Sequence, residues 1–144
     1  SSRIENLAVD IAAIVDPEQA TPGENFHLRL RVTIHEGWHI YSMQLEGENS
    51  NLATVIRFQE NSFPIIGKWE ESLPRIERDD VLQKIVKSHN QFAEFNLLQR
   101  MPETVAPGDY SISGVLVYYA CDNKVCTLPK EAPFKTRVKA GVRR

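Results

Sequence analysis

The chain has 144 residues, of which 42% are hydrophobic, and a formal net charge of -2 at pH 7. This length suits one globular domain over residues 1–144, large enough to bury a sizeable core. Acidic and basic residues are mixed along the chain, so no basic face is predicted that would bind a nucleic acid or an acidic partner. No apolar run approaches the roughly 20 residues that span a bilayer, and residues 1–5 lack signal-peptide features. We therefore expect a processed or excised piece of a longer protein.

Alternating side chains predict strands in the first half of the chain. Residues 7–15 form an apolar segment with imperfect alternation, and turn-forming residues follow it. Residues 26–35 alternate apolar and polar side chains over ten positions, which is the clearest strand pattern. A turn at Gly37 leads into a short aromatic strand over residues 38–42. Residues 52–58 alternate again and predict a further strand.

The second half contains a long segment without clear periodicity. From residue 63 to residue 90 the pattern is weak, so we expect a long loop with at most a short strand over residues 81–86. Further strands are predicted over residues 92–101, 110–119 and 134–139. No stretch has a helical period. About seven short strands separated by Pro and Gly predict an all-β, immunoglobulin-like antiparallel β-sandwich.

The chain has only two cysteines, Cys121 and Cys126, at the end of an apolar run. If the four residues between them form a hairpin loop, the cysteines face each other across two strands. Their Cα atoms would then lie roughly 4.5 to 5.5 Å apart, which permits a disulfide. Closing so short a loop should stabilise the fold by only about 2 kcal/mol.

This pair leaves three interpretations open. The first is a structural hairpin disulfide, and the second is a reversible redox pair. The third is a soft-metal site in which the two thiolates join His39 and Met43 around an ion such as Cu(I). A zinc site would be incomplete, because zinc normally takes four ligands and no second cysteine pair is present. The spacing also differs from the Cys-x-x-Cys of thioredoxins, where a helix N-terminus lowers the thiol pKa.

A cysteine hydrolase is a weaker alternative. Its base would be His27, His35, His39 or His89, but histidines on the polar face of a strand are usually solvated. No glycine-rich phosphate loop or serine nucleophile elbow is present. The acidic residues of the long weak segment have the pattern of a solvated edge; they are Glu70, Glu71, Asp79 and Asp80.

Four segments together resemble a known family. They are Gly37-Trp38-His39-Ile40-Tyr41-Ser42, Pro107-Gly108-Asp109-Tyr110, Val117-Tyr118-Tyr119-Ala120-Cys121 and Cys126-Thr127-Leu128-Pro129. In this order they resemble the N-terminal periplasmic domain of the transmembrane thiol-disulfide reductase DsbD. The cysteine hairpin and the Gly-Trp-His-Ile-Tyr segment are the specific parts of the match. One departure is the loop between the cysteines, which has four residues here and five in the best-known member.

The resemblance implies particular roles for the site residues. Cys126 would form the mixed disulfide with a partner, and Cys121 would resolve it. Aromatic positions beside the pair match Tyr41 and His39, and Tyr119 precedes the pair. A cap loop within residues 68–90 would cover the pair, with Trp69 or Leu73 as its cap residue. Two acidic residues of that segment would hold the cap closed and raise the thiol pKa by like-charge repulsion; they are Glu70 and Glu71.

The resemblance also implies a function and partners. The domain would be a periplasmic thiol-disulfide oxidoreductase that uses no cofactor. It would accept electrons from a membrane reductase through a thioredoxin-like domain. It would pass them to a periplasmic disulfide isomerase or other oxidised thiol proteins, in the context of processes such as cytochrome c maturation. The chain would be a piece excised from a larger membrane protein, and contact with the membrane would come only through a fused domain.

Overall fold

The computed structural model describes residues 8–142, which are almost entirely β-structure. The predicted all-β class is confirmed. The strands are β1 (Val9–Asp16), β2 (Gln19–Ala20), β3 (Asn25–Ile34), β4 (His39–Tyr41), β5 (Val55–Glu60), β6 (Ile65–Glu71), β7 (Arg75–Asp79), β8 (Lys84–His89), β9 (Phe92–Arg100), β10 (Gly108–Tyr118), β11 (Ala120–Cys121) and β12 (Lys130–Ala140). A 3-10 helix spans Gly47–Leu52. Within residues 8–142, no helix has the length and apolar character needed to cross a membrane.

Two four-stranded sheets form the sandwich. Their strand orders are β1-β3-β9-β6 and β2-β12-β10-β5, and the pairing is antiparallel except between β2 and β12. Alternate residues of β3 point inward and are buried, as the sequence pattern predicts. They pack with inward residues of both sheets in one apolar core, which we call the sandwich core; its largest members include Phe26, Phe95, Leu116 and Tyr118.

A third sheet, with strand order β11-β4-β8-β7, carries the cysteines. In β11 and β4, Ala120 pairs with Ile40 and Cys121 pairs with His39. On the other side of β4, Tyr41 pairs with Ser88 of β8. We call the antiparallel pair β7 and β8 the cap hairpin. This third sheet therefore joins the cysteine segment to the segment that was hardest to interpret from sequence.

The prediction of a long loop over residues 63–90 is wrong in its secondary structure. The segment contains β6, β7 and β8, and the short strand predicted at residues 81–86 lies at Lys84–His89 instead. β6 and β7 are edge strands of their sheets. Each is half exposed, and the pairing of β6 with β9 shifts register between Ile66 and Glu70. An exposed strand with a bulge has no reason to show clean alternation.

The other predicted strands are present, with shifted ends. The predicted start of the first strand at Leu7 lies outside the described residues. Leu52, predicted to begin a strand, belongs to the 3-10 helix, and β5 begins at Val55. The last strand is longer than predicted because residues 130–133 and Ala140 extend the pairing of β12 with β10.

Candidate active site

The two cysteines form a disulfide across the predicted hairpin. Cys121 ends β11, Cys126 makes an isolated antiparallel bridge with it, and their Cα atoms are 4.0 Å apart. Asp122 shapes the loop, because its Oδ1 accepts hydrogen bonds from the amides of Lys124 at 2.7 Å and Val125 at 2.8 Å. Thr127 then donates its amide to the carbonyl of Ala120 at 2.8 Å. The loop is thus fixed by bonds independent of the sulfurs.

The two sulfurs have different environments. Cys121 is fully buried, whereas Cys126 is partly exposed. The loop between them is exposed from Asn123 to Val125. A protein that approaches this surface can reach Cys126 first, because Cys121 lies beneath it.

Tyr41 connects the disulfide to a buried carboxylate. Its Oη lies 3.2 Å from Cys121 Sγ, 4.0 Å from Cys126 Sγ and 2.5 Å from Asp79 Oδ2. Asp79 Oδ2 also lies 2.8 Å from Nε2 of His39. His39 and Tyr41 are two residues apart on β4, so their side chains lie on the same face of the strand. The hydroxyl has one proton, and the carboxylate is the stronger acceptor for it. Cys121, Tyr41, Asp79 and His39 therefore form a continuous chain of polar contacts.

The ionisation of this group follows from its contacts. Burial alone would raise the pKa of Asp79, but hydrogen bonds from Tyr41, the amide of Leu82 and His39 outweigh it and hold the pKa below its ordinary value. Burial, together with the hydrogen bond and the negative charge of Asp79, raises the pKa of Tyr41. At neutral pH the site therefore holds a carboxylate and a neutral tyrosine.

The tip of the cap hairpin lies against the disulfide. Asp79 Oδ1 accepts hydrogen bonds from the amides of Val81 and Leu82, both at 2.9 Å, which fixes the turn after β7. Leu82 packs with a small apolar group that we call the disulfide cluster. Its buried members are Tyr41, Leu45, Val86 and Cys121, with Leu52, Ala53, Leu82 and Cys126 packed against them.

The structure does not bring either predicted cap residue to the cysteines. Trp69 stacks on Phe58, with ring centroids 5.9 Å apart, and packs against the sandwich core. Leu73 is 93% exposed in the connection before the cap hairpin. Within residues 68–90, the apolar side chains of the disulfide cluster are instead Leu82 and Val86. The turn that contains Leu82 is closed by bonds within the turn itself. Only the pairing of β8 with β4, and of β4 with β11, brings it to the hairpin of the cysteines.

The two predicted acidic residues are also placed apart from the sulfurs. Glu70 is exposed and pairs with Asn96 of β9. The side chain of Glu71 is only 5% exposed, and it accepts hydrogen bonds from Nε2 of His89 at 2.8 Å, Oγ of Ser42 at 2.5 Å and the amide of Met43 at 3.2 Å. Burial would raise the pKa of Glu71, but these bonds lower it. Glu71 therefore ties β6 and β8 to the end of β4, next to Tyr41.

The remaining candidates have other surroundings. Tyr119 is partly buried between β10 and β11. Met43 packs against the sandwich core, and no group of three His, Cys, Asp or Glu side chains in residues 8–142 is arranged to hold a metal ion. His35 bonds to Asp10 at 2.9 Å. Two residues of the copper interpretation thus have other contacts: Met43 packs against the sandwich core, and Nε2 of His39 bonds to Asp79.

The prediction that Asp79 lies on a solvated edge is wrong, because its side chain is only 2% exposed. The nearest signal was the sequence Asp79-Asp80-Val81-Leu82, since an aspartate can bond the amides two and three residues later. That pattern predicts a turn, but it does not indicate the strand against which the turn packs. The partner strand β4 lies 38 residues earlier.

A β-sandwich that presents one disulfide on a surface hairpin, with one sulfur accessible and the other against a buried tyrosine and carboxylate, has the features of a thiol-disulfide exchange domain. The sequence matches the family "Thiol:disulfide interchange protein DsbD, N-terminal" over residues 11–137. The chain belongs to this family. No curated protein sequence matches it.

Two solved structures have the same fold. The N-terminal periplasmic domain of ScsB from Proteus mirabilis is 16% identical with a TM-score of 0.60, over 93% of this chain and 47% of that one. The N-terminal domain of DsbD from Neisseria meningitidis, in its reduced form, is 14% identical with a TM-score of 0.54, over 98% of this chain and all of that one. This chain spans about half the length of the ScsB domain. The likeness confirms the immunoglobulin-like sandwich.

Proposed function

We propose that this domain passes reducing equivalents from a thioredoxin-like domain or membrane reductase to oxidised partner proteins through Cys121 and Cys126. The observation that carries the proposal is the asymmetric disulfide: Cys126 is partly exposed, and Cys121 is buried against Tyr41. The family supports thiol-disulfide exchange in general. The direction and the partners are our inference from the site.

The geometry supports a definite order of steps. A donor thiolate attacks Sγ of Cys126, the Cys121–Cys126 bond breaks, and Cys121 keeps the electron pair as a thiolate that takes up a proton. A second donor thiolate then attacks the donor's own sulfur in the mixed disulfide and releases Cys126. In total, two electrons and two protons reduce the pair. In the reverse sequence Cys126 attacks an oxidised partner and Cys121 resolves the mixed disulfide.

Access to Cys126 gives the exchange its selectivity. Leu82 of the cap hairpin packs on the disulfide cluster that includes Cys126. Asp79 adds a negative charge near the sulfurs, which disfavours a thiolate while the hairpin is in place. A partner that displaces Leu82 and Asp79 would therefore both expose and activate Cys126.

The solved structures give the proposal a setting. The ScsB domain is described as periplasmic, and we place this domain in the periplasm too, as part of a larger membrane protein. The acceptor would be a disulfide isomerase or another oxidised thiol protein, including those that serve cytochrome c maturation. Neither step needs a cofactor.

A trapping experiment tests the proposal. With Cys121→Ser, the reaction of oxidised thioredoxin-like protein with Cys126 should stop at a mixed disulfide, because the resolving thiol is missing. Non-reducing gel electrophoresis and mass spectrometry would detect it. Cys126→Ser is the matched control and should trap far less, since Cys121 is buried.

The rival interpretation is a structural disulfide in a β-sandwich interaction module. Structural disulfides typically have potentials below about -300 mV. A native pair that thioredoxin-like protein cannot reduce, and that opens only after denaturation, would support this rival and contradict the redox proposal.

A further inference from the structure

A polar cleft of about 560 Å³ lies beside the disulfide hairpin. Its walls come from the turn after β3, from β7 with its turn, and from Asn123 of the cysteine loop. His39 and Asp79 line the same cleft. The His39 side chain is 20% exposed, whereas that of Asp79 is 2% exposed. The imidazole is therefore the solvent-facing end of the chain of contacts that starts at Cys121.

The exchange reaction makes a demand on the buried sulfur. When a thiolate attacks Cys126, the electron pair of the broken bond stays on Cys121, which is fully buried. A thiolate in apolar surroundings is unfavourable, so Cys121 must take up a proton. The hydroxyl oxygen of Tyr41 lies 3.2 Å from Cys121 Sγ, so the hydroxyl can supply this proton by turning it from Asp79 towards the sulfur.

From these contacts we infer that His39 is the proton-exchange residue of the site, connected to Cys121 through Asp79 and Tyr41. The inference rests on the proposed function. In the reductive direction, protonated His39 gives its Nε2 proton to Asp79, Asp79 protonates the oxygen of Tyr41, and Tyr41 protonates Cys121. The sum is thiolate plus imidazolium giving thiol plus neutral imidazole. Water in the cleft then restores the proton of His39.

The electrostatics require the transfers to be coupled. The pKa of Tyr41 is raised, so a tyrosinate would be a poor isolated intermediate. The pKa of Asp79 is lowered, so a neutral Asp79 would be equally unfavourable at neutral pH. The proton from His39 therefore rests on Asp79 only briefly, while Tyr41 gives its own proton to the Cys121 thiolate and takes the proton from Asp79. His39 acts through Asp79 and Tyr41 and does not touch sulfur, so its role is that of a positioning residue for the proton.

The test measures the rate at which dithiothreitol reduces the oxidised protein, by rapid acid quench and alkylation of the new thiols. His39→Gln retains a donor for Asp79 but cannot pass a proton. It should slow reduction by about 100-fold, the lower end of the contribution of a positioned acid. His35→Gln is the matched control, because His35 lines the same cleft but bonds to Asp10. It should leave the rate unchanged.

Two further readouts separate proton transfer from a structural effect. Added imidazole should restore the rate of His39→Ala, since the cleft is larger than imidazole. At a constant concentration of dithiothreitol thiolate, the dependence of the rate on pH should differ between the wild type and His39→Gln, because only the wild type has an imidazole at the solvent-facing end of the chain of contacts. Several other ionisable side chains line the cleft and are kept unchanged; they are His35, Glu36, Glu77, Arg78, Asp79 and Asp80.

The outcomes are distinct. Wild-type kinetics in His39→Gln would overturn the inference and leave the proposed function standing. A slowed His39→Gln reaction whose pH profile matches the wild type, without imidazole rescue of His39→Ala, would make His39 merely structural and would also overturn it. If the native wild-type protein resists reduction altogether, both the inference and the proposed function fail.

Discussion

Asp79 Oδ2 accepts hydrogen bonds from two side chains of β4, Tyr41 and His39, while Oδ1 accepts two amides of its own turn. One residue thus closes the turn of the cap hairpin and attaches it to the strand beside the disulfide. Each of these bonds is stronger when Asp79 is ionised. The attachment of the hairpin should therefore depend on pH.

The first prediction concerns this dependence. The pKa of Asp79 is lowered in the folded state, so its contribution to stability is complete above the ordinary carboxyl pKa of about 3.9 and is lost as pH falls through the folded value. Urea unfolding between about pH 5 and pH 2 should show the loss in the wild type. Asp79→Asn should be less stable at pH 7 and should lose less over this range, by at most about 1.4 kcal/mol per pH unit for one proton.

Asp109→Asn, at an exposed position of β10, is the control for a lost carboxylate. It should retain the wild-type dependence on pH. Glu71 remains in both variants, and because its pKa is also lowered it keeps part of the acid sensitivity. An Asp79→Asn protein with the same slope as the wild type would contradict the assignment of Asp79 as a coupled, buried carboxylate.

At the scale of elements, the cap hairpin is attached at both ends. At its base, Glu71 and His89 form a buried pair at 2.8 Å, and at its tip Asp79 bonds to β4. Between these points Leu82 packs on the disulfide cluster. β7 has only one neighbouring strand, so the hairpin is less constrained than the strands of the sandwich.

The second prediction concerns Leu82. Leu82→Ala removes apolar contacts with the disulfide cluster, so the hairpin should open more often and the disulfide should react faster with thiols. A several-fold faster reduction by dithiothreitol is expected, with a loss of at most about 2 kcal/mol in the free energy of unfolding, because Leu82 is only partly buried.

The control lies on the same hairpin. Ile85 is 69% exposed, so Ile85→Ala removes a similar side chain without uncovering the sulfurs and should react at the wild-type rate. Equal acceleration in both variants would mean that the hairpin as a whole is destabilised and that Leu82 has no particular role as a cover.

At the scale of the whole molecule, the apolar interior is divided into two parts. The sandwich core contains neither cysteine, and both cysteines pack in the small disulfide cluster. Opening the disulfide therefore removes no contact from the sandwich core. The domain can change redox state on a scaffold that stays folded.

The third prediction follows from this division. Reduction should lower the free energy of unfolding by only about 2 kcal/mol, because the closed loop is short. The far-ultraviolet circular dichroism should stay that of a β-protein. Urea unfolding of the oxidised and reduced protein would measure the difference, and the double variant Cys121→Ala, Cys126→Ala should resemble the reduced wild type. Unfolding upon reduction would instead assign the disulfide a structural role.

Much of the sandwich was predictable from single strands. The alternation of residues 26–35 predicted β3, because a strand that packs one face on the core and turns the other towards solvent must alternate apolar and polar side chains. β6 and β7 escaped prediction because edge strands do not need this pattern. The cysteine hairpin was predictable because its contacts are local. Trp69 was misplaced because an aromatic residue in a weak pattern can pack on either core, and only the packing with Phe58 decides.

The sequence by itself determined the all-β class, the positions of the central strands and the hairpin that brings Cys121 and Cys126 together, since these depend on periodicity and on short separations along the chain. The tertiary structure alone decided which carboxylate and which apolar residue meet the sulfurs. Asp79 and Leu82 reach them only because β8 pairs with β4 and β4 pairs with β11. Contacts of this kind depend on strand order and register, which a single sequence does not encode in any local pattern.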